Sequence, residues 1–150
     1  SSSDMEKLDA PLSLFGFEID EISAHKVSGH LLITPTCCQP FHVLHGGVSA
    51  LISESLASLG ACVASGFNRV AGVQLSINHH KPAKAGDFIV AEATPITIGR
   101  SIQVWEVYIA KLDQGNRTLV ASSRLTLYCS IPLPESAADF VQLVKKHSKL

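Results

Sequence analysis

Residues 44–66, LHGGVSALISESLASLGACVASG, constrain the fold more than any other part of the chain. An apolar run of this length exceeds ordinary strands and predicts a helix, with Ser65-Gly66 marking its end. Apolar and small side chains occur all round it, as in a helix buried on every side. Yet it carries one charged residue, Glu54. Glutamate is almost never fully buried unless paired, and no Lys or Arg stands within the stretch at helical spacing. Glu54 therefore either faces water or is retained because chemistry needs a carboxylate.

The remaining composition narrows the setting. A chain of 150 residues with 46% hydrophobic content fits one domain with a sizeable core. A net charge of −1 leaves no general electrostatic footprint for nucleic acid or an anionic membrane. Glu54 and several serines interrupt the longest apolar run, which argues against a membrane span. Cys37, Cys38, Cys62 and Cys129 match no zinc or CxxC spacing, so no metal is expected, and the thiols read as those of a reducing compartment. The polar start, SSSDMEKLDA, lacks the basic-then-apolar order of a secretory signal and reads as a flexible leader over 1–11. At the other end, Ser148-Lys149-Leu150 has the form of a peroxisomal address read by an import receptor. The single domain is expected over 12–147.

On either side of the long helix the pattern is that of strands. Residues 12–22 and 25–35 read as two strands, the second alternating through Val27, Gly29, Leu31 and Ile33. A Cys-, Gln- and Pro-containing loop covers 36–43. Residues 70–80, 88–98, 101–112 and 117–131 are rich in β-branched side chains and joined by short turns, as in antiparallel hairpins. Ala138, Val141, Leu143 and Val144 then recur near helical spacing, with Lys and His late in the segment. A lone apolar helix among antiparallel strands must be wrapped by the sheet, which gives an α+β domain.

His45-Gly46-Gly47 opens the helix. The first N–H groups of a helix lack internal partners and lie at its positive end, and glycine lets a ligand approach the backbone. The Gly46 N–H is thus suited to a carbonyl oxygen that gains negative charge during acyl transfer. Glu54 lies eight residues further on, about 12 Å at the helical rise, too far to serve a carbonyl held at its own helix start. Two antiparallel copies of the helix resolve this, each lending its glutamate to the other's Gly46 in a two-fold dimer with composite sites. Ser58 shares the face of Glu54 at i+4, and Gln39 and His45 stand near the helix start.

The pattern Gln39-x5-His45-Gly46-Gly47-x6-Glu54-x3-Ser58 resembles the glutamate-type branch of the hotdog-fold acyl-CoA thioesterases, the 4-hydroxybenzoyl-CoA thioesterase family. The likeness runs over about 12–131 and does not extend to the branch with an upstream catalytic Asp. It implies a hotdog fold with Glu54 as nucleophile or general base, Gly46 as oxyanion donor, and Gln39, His45 and Ser58 assisting. Val73, His80, Lys81, Pro82, Arg100 and Ser101 match positions lining the acyl or coenzyme A channel. Alternation gives only one of His79 and His80 to the site, and Arg69, Lys81, Lys84 and Arg100 are of the type that binds nucleotide phosphates. The segments CCQPF, VAGVQLSINH and IQVWEV with the terminal SKL are similar to the plant peroxisomal branch acting on 1,4-dihydroxy-2-naphthoyl-CoA in phylloquinone biosynthesis. That likeness implies an aromatic acyl-CoA substrate, no cofactor beyond the coenzyme A of the substrate, and a homodimer or homotetramer. Benzoyl-CoA, cinnamoyl-CoA and a non-catalytic acyl-CoA-binding role remain alternatives.

Overall fold

A computed structural model describes residues 2–149. The helix at its centre, α3 (Gly46–Ala64), follows the short helices α1 (Ser2–Leu8) and α2 (Ala10–Leu14) and the hairpin of β1 (Glu18–Ser23) and β2 (Val27–Leu32). After it come β3 (Arg69–His79), β4 (Phe88–Ile98), β5 (Ile102–Asp113), β6 (Asn116–Ile131), α4 (Ala138–His147) and the two-residue β7 (Ser148–Lys149). Among the described residues these strands form one sheet in the order β3-β6-β5-β4-β2-β1-β7. Every pairing is antiparallel except that of β7 with β1.

The concave face of this sheet packs on α3. Ile89, Ala91, Ala93, Trp105, Val107, Ile109, Leu125 and Leu127 alternate inward along β4, β5 and β6 and are buried with Ile52, Leu56 and Ala57 of the helix. Helix and sheet fit closely at one point. A Cβ on Gly60 would overlap the ring of Trp105. The Trp105 indole N–H donates to Gln103 Oε1 at 2.7 Å, and Gln103 Nε2 donates to Ala61 O at 3.3 Å, so Gln103 satisfies the buried indole and is itself bonded to the helix backbone. Buried Ser53 is satisfied within the helix by donating to Ser49 O. The helix stops where Gly66 turns left-handed, φ 79°, and Phe67 N–H returns to Cys62 O.

The sequence reading needs two corrections at the N-terminus. Residues assigned there to a flexible leader form α1 and α2; Ser1 lies outside the described residues. Asp9 caps α2 by accepting from Leu12 N–H, and Leu12 is fully buried. The expected strand over 12–22 begins only at Glu18, because Leu12 to Leu14 complete that helix and Gly16 (φ 84°) makes the turn. α1 is tied to α4 through Asp4, which accepts from His147 at 2.9 Å and Lys146 at 3.1 Å.

On the convex face His30 lies between Asp20 (2.9 Å) and Glu18 (3.1 Å) and stacks on Phe88. The Asp20 hydrogen bond raises the His30 pKa; burial opposes it, and the two carboxylate charges add to the rise. A histidine held charged in this way stabilises the fold fully below its unfolded value of about 6.5, and that contribution is lost as pH rises through the raised folded value. His30→Gln should therefore lower Tm more at pH 5.5 than at pH 8.5. Equal losses at both pH values in a thermal melt would show that the charged form contributes nothing.

Candidate active site

His45 caps α3 with its side chain: Nδ1 accepts the Gly47 N–H at 2.8 Å, so the proton of the neutral ring sits on Nε2. Val48 and Ser49 N–H both donate to His45 O. That leaves the Gly46 N–H with no acceptor among the described residues. The two glycines have separate reasons. A Cβ on Gly47 would lie 2.9 Å from His45 Nδ1, and one on Gly46 would lie 3.1 Å from Cε1 and 3.2 Å from Nε2 of His79. The helix start is thus flanked by two imidazoles. Gln39, in the preceding loop, turns its Oε1 onto the Phe41 N–H, which leaves its amide NH2 to donate elsewhere.

Glu54 lies two turns along α3, half-buried, with no hydrogen bond or ion pair among the described residues. Its carboxylate is accommodated by Gly72 on β3, where a Cβ would overlap Glu54 Oε1. Glycine in a strand interior here marks a close approach by a side chain. One turn further, half-buried Ser58 opens onto a cavity of about 250 Å³. Its other walls are Leu59 and Cys62 of α3, Asn68, Arg69 and Val70 at the start of β3, and Leu133, Pro134, Ala137 and Phe140 beyond β6. Burial, with Cys129 second, pushes the Cys62 thiol up to about 11, so this thiol is uncharged at neutral pH.

The sequence profile of the thioesterase superfamily matches residues 41–118, which include this helix start, Glu54 and Ser58. The chain belongs to that superfamily. It is 52% identical over 143 residues to 1,4-dihydroxy-2-naphthoyl-CoA thioesterase 2 of Arabidopsis thaliana, covering 93% of this chain and 91% of the relative. To 1,4-dihydroxy-2-naphthoyl-CoA hydrolase of Listeria monocytogenes it is 35% identical over 113 residues, 75% of this chain and 89% of the relative. The crystal structure of a thioesterase from Haemophilus influenzae superposes with a TM-score of 0.75 at 32% identity, covering 90% of this chain and 94% of that one. The protein is a thioester hydrolase with the hotdog fold expected from its sequence.

Within this thioesterase the other candidates divide between two ends of the sheet. The pairing of β3 with β6 puts His79 opposite Ala121 on the inner face, so His79, rather than His80, lies beside Gly46. His80 points to the other face and bonds Ser122 Oγ at 2.8 Å. The family resemblance assigned His80 to the channel, whereas the strand register turns His80 away from Gly46 and puts His79 beside it. Lys81 and Pro82 are exposed at the same end, the Lys81 N–H donating to Val120 O. Arg100 and Ser101 lie at the opposite end, where Ser130 Oγ donates to Arg100 O and Cys129 N–H to Ser101 O. Val120 and Ser130 are ten residues apart on β6, at most about 33 Å in an extended strand, so Lys81 and Arg100 of one chain lie toward opposite ends of that strand. Val73, 63% exposed, stands at a bulge of β3 next to Gly72. Among the described residues no group of three or more His, Cys, Asp or Glu is placed to hold a metal ion.

Proposed function

We propose that this thioesterase hydrolyses an aromatic acyl-CoA, with 1,4-dihydroxy-2-naphthoyl-CoA as the preferred substrate. The reading is carried by a half-buried carboxylate, Glu54, and an N–H, Gly46, neither with a partner among the described residues, in a chain of this superfamily. Two relatives named for that acyl group support the choice of substrate. The thioester oxygen accepts from the Gly46 N–H, and the Glu54 carboxylate attacks the carbonyl carbon or takes a proton from the water that does. Collapse of the tetrahedral species breaks the C–S bond, and the coenzyme A thiolate takes up a proton; where water attacked, the product is the free acid, and where Glu54 attacked, it is a mixed anhydride that a water then hydrolyses to the free acid and the restored carboxylate. Gln39 and His45 donate at the thioester, and Ser58 to the carboxylate or the water.

Each site takes Gly46 from one subunit and Glu54 from the other. β3 is the first strand of the sheet, and its outer edge has no strand partner among the described residues. A second copy paired antiparallel along that edge sets the Gly46 and His79 end of one chain beside the Glu54, Arg69 and Arg100 end of the other. Exposed Leu32, Phe88, Ile102, Tyr108 and Tyr128 on the convex face favour a further pairing of dimers into a tetramer. The deciding assay is thiol release from 1,4-dihydroxy-2-naphthoyl-CoA, benzoyl-CoA, cinnamoyl-CoA and a medium-chain acyl-CoA, with the first expected to give the highest kcat/KM. A higher value for another thioester reassigns the substrate, and no release from any leaves a binding protein.

We propose a peroxisomal location from Ser148-Lys149-Leu150, of which Leu150 lies outside the described residues. Ser148 and Lys149 pair with Ile22 and Ser23 of β1, and Lys149 reaches Glu21 at 3.7 Å. An import receptor that takes an extended tail has to lift these residues from the sheet. Removing the three residues should leave kcat/KM unchanged and move a fluorescent fusion to the cytosol; a fusion still in peroxisomes would show that the signal lies elsewhere.

A further inference from the structure

The 250 Å³ cavity beside Ser58 has a wall that the catalytic pattern does not include. Leu133, Pro134, Ala137 and Phe140 come from the segment beyond β6, outside the 41–118 matched to the superfamily profile. Phe140 is half-buried and packs against the core, so this wall is anchored. We propose that the segment over 133–140 forms the end wall of the acyl pocket and sets the largest acyl group the enzyme accepts. The proposal rests on the reading of Glu54 as the group acting at the thioester.

Position, size and chemistry all bear on it. Ser58 is four residues past Glu54 and Cys62 eight, so the cavity extends from about 6 to 12 Å along the helix from Glu54. An aromatic acyl group whose carbonyl is held beside Glu54 and whose rings point toward Cys62 brings its far ring to the near end of this interval. A cavity of about 150 Å³ holds one benzene ring, and in proportion to ring atoms about 250 Å³ corresponds to two fused rings. Leu59, Val70, Leu133 and Phe140 supply apolar contact, while Arg69, exposed and without an ion pair among the described residues, can donate to ring hydroxyls at the rim.

Two variants change the wall in opposite directions and leave Glu54, Gly46 and Ser58 untouched. Ala137→Phe should fill the cavity, cutting kcat/KM for 1,4-dihydroxy-2-naphthoyl-CoA at least tenfold while benzoyl-CoA changes less than threefold. Phe140→Ala should open it, raising the rate on a three-ring anthroyl-CoA relative to benzoyl-CoA at least fivefold. Ratios between substrates on one preparation cancel any loss of folded protein. If both variants alter all three thioesters by a common factor, or leave the ratios at wild type, the wall does not limit the acyl group. The affinity of 1-hydroxy-2-naphthoate, measured by titration, separates this result from failure of the hydrolase reading. A wild type inactive on every thioester whose naphthoate affinity falls tenfold in Ala137→Phe keeps the pocket and removes the chemistry. Inactivity with an affinity that the variant does not change removes both.

Discussion

Glu54→Gln keeps the fold and loses at least about three orders of magnitude in kcat, equivalent to about 4 kcal/mol of barrier. The amide matches the carboxylate in shape, so it still fits against Gly72, where a larger group would collide with the β3 backbone. What it lacks is the ability to attack a carbonyl or to accept a proton from water. No hydrogen bond or ion pair of Glu54 to a described residue is lost, so Tm should stay within about 2 °C of wild type, as for substitutions that break no specific contact. Thiol release under saturating substrate, with circular dichroism as the folding control, checks both statements. Activity within about twofold of wild type would falsify the assignment of Glu54.

Mixed dimers should recover activity that neither parent has. Glu54→Ala removes the carboxylate, and Gly46→Pro removes the N–H proposed to bind the oxyanion. In a heterodimer one site carries both defects and the other carries neither, so co-expressed, separately tagged chains should reach up to about half the wild-type rate per dimer. Gly46 is the first helical residue, a position whose φ proline matches. The added ring presses on His79, however, since even a Cβ there would lie 3.1 Å from Cε1. Gly46→Ala separates the two effects: it makes the same contact with His79 and keeps the N–H. Alanine active and proline inactive assigns the loss to the donor. Verified heterodimers as inactive as both parents would mean that Glu54 does not serve the partner's Gly46.

The parts of the molecule that were legible in the sequence are those written in periodicity. The helix over 46–64 and the strand over 88–98 follow from apolar patterns that local geometry alone can satisfy. Glu54 was legible because a charge in such a helix conflicts with burial. The N-terminal helices were not, because a polar segment such as SSSDMEKL becomes ordered through tertiary contacts, here Asp4 with His147 and Leu12 in the core. His79 was missed in favour of His80 because two adjacent strand residues differ only in which face they take, and the pairing with β6 settles that. The cavity wall at 133–140 was likewise hidden, since it is built from segments more than sixty residues apart in sequence from Cys62.

Gly72 and Glu54 are far apart in the chain and share one volume, since the carboxylate occupies the space a side chain at 72 would need. Neither position can therefore drift alone while this arrangement lasts. A lineage that replaces the glutamate by a shorter residue frees position 72 to vary, and one that first acquires a side chain at 72 must move or abandon the acid. The two residues behave as a single heritable character, and a bulky residue at 72 in a descendant would mark the loss of this arrangement of the acid even where a glutamate remains at 54.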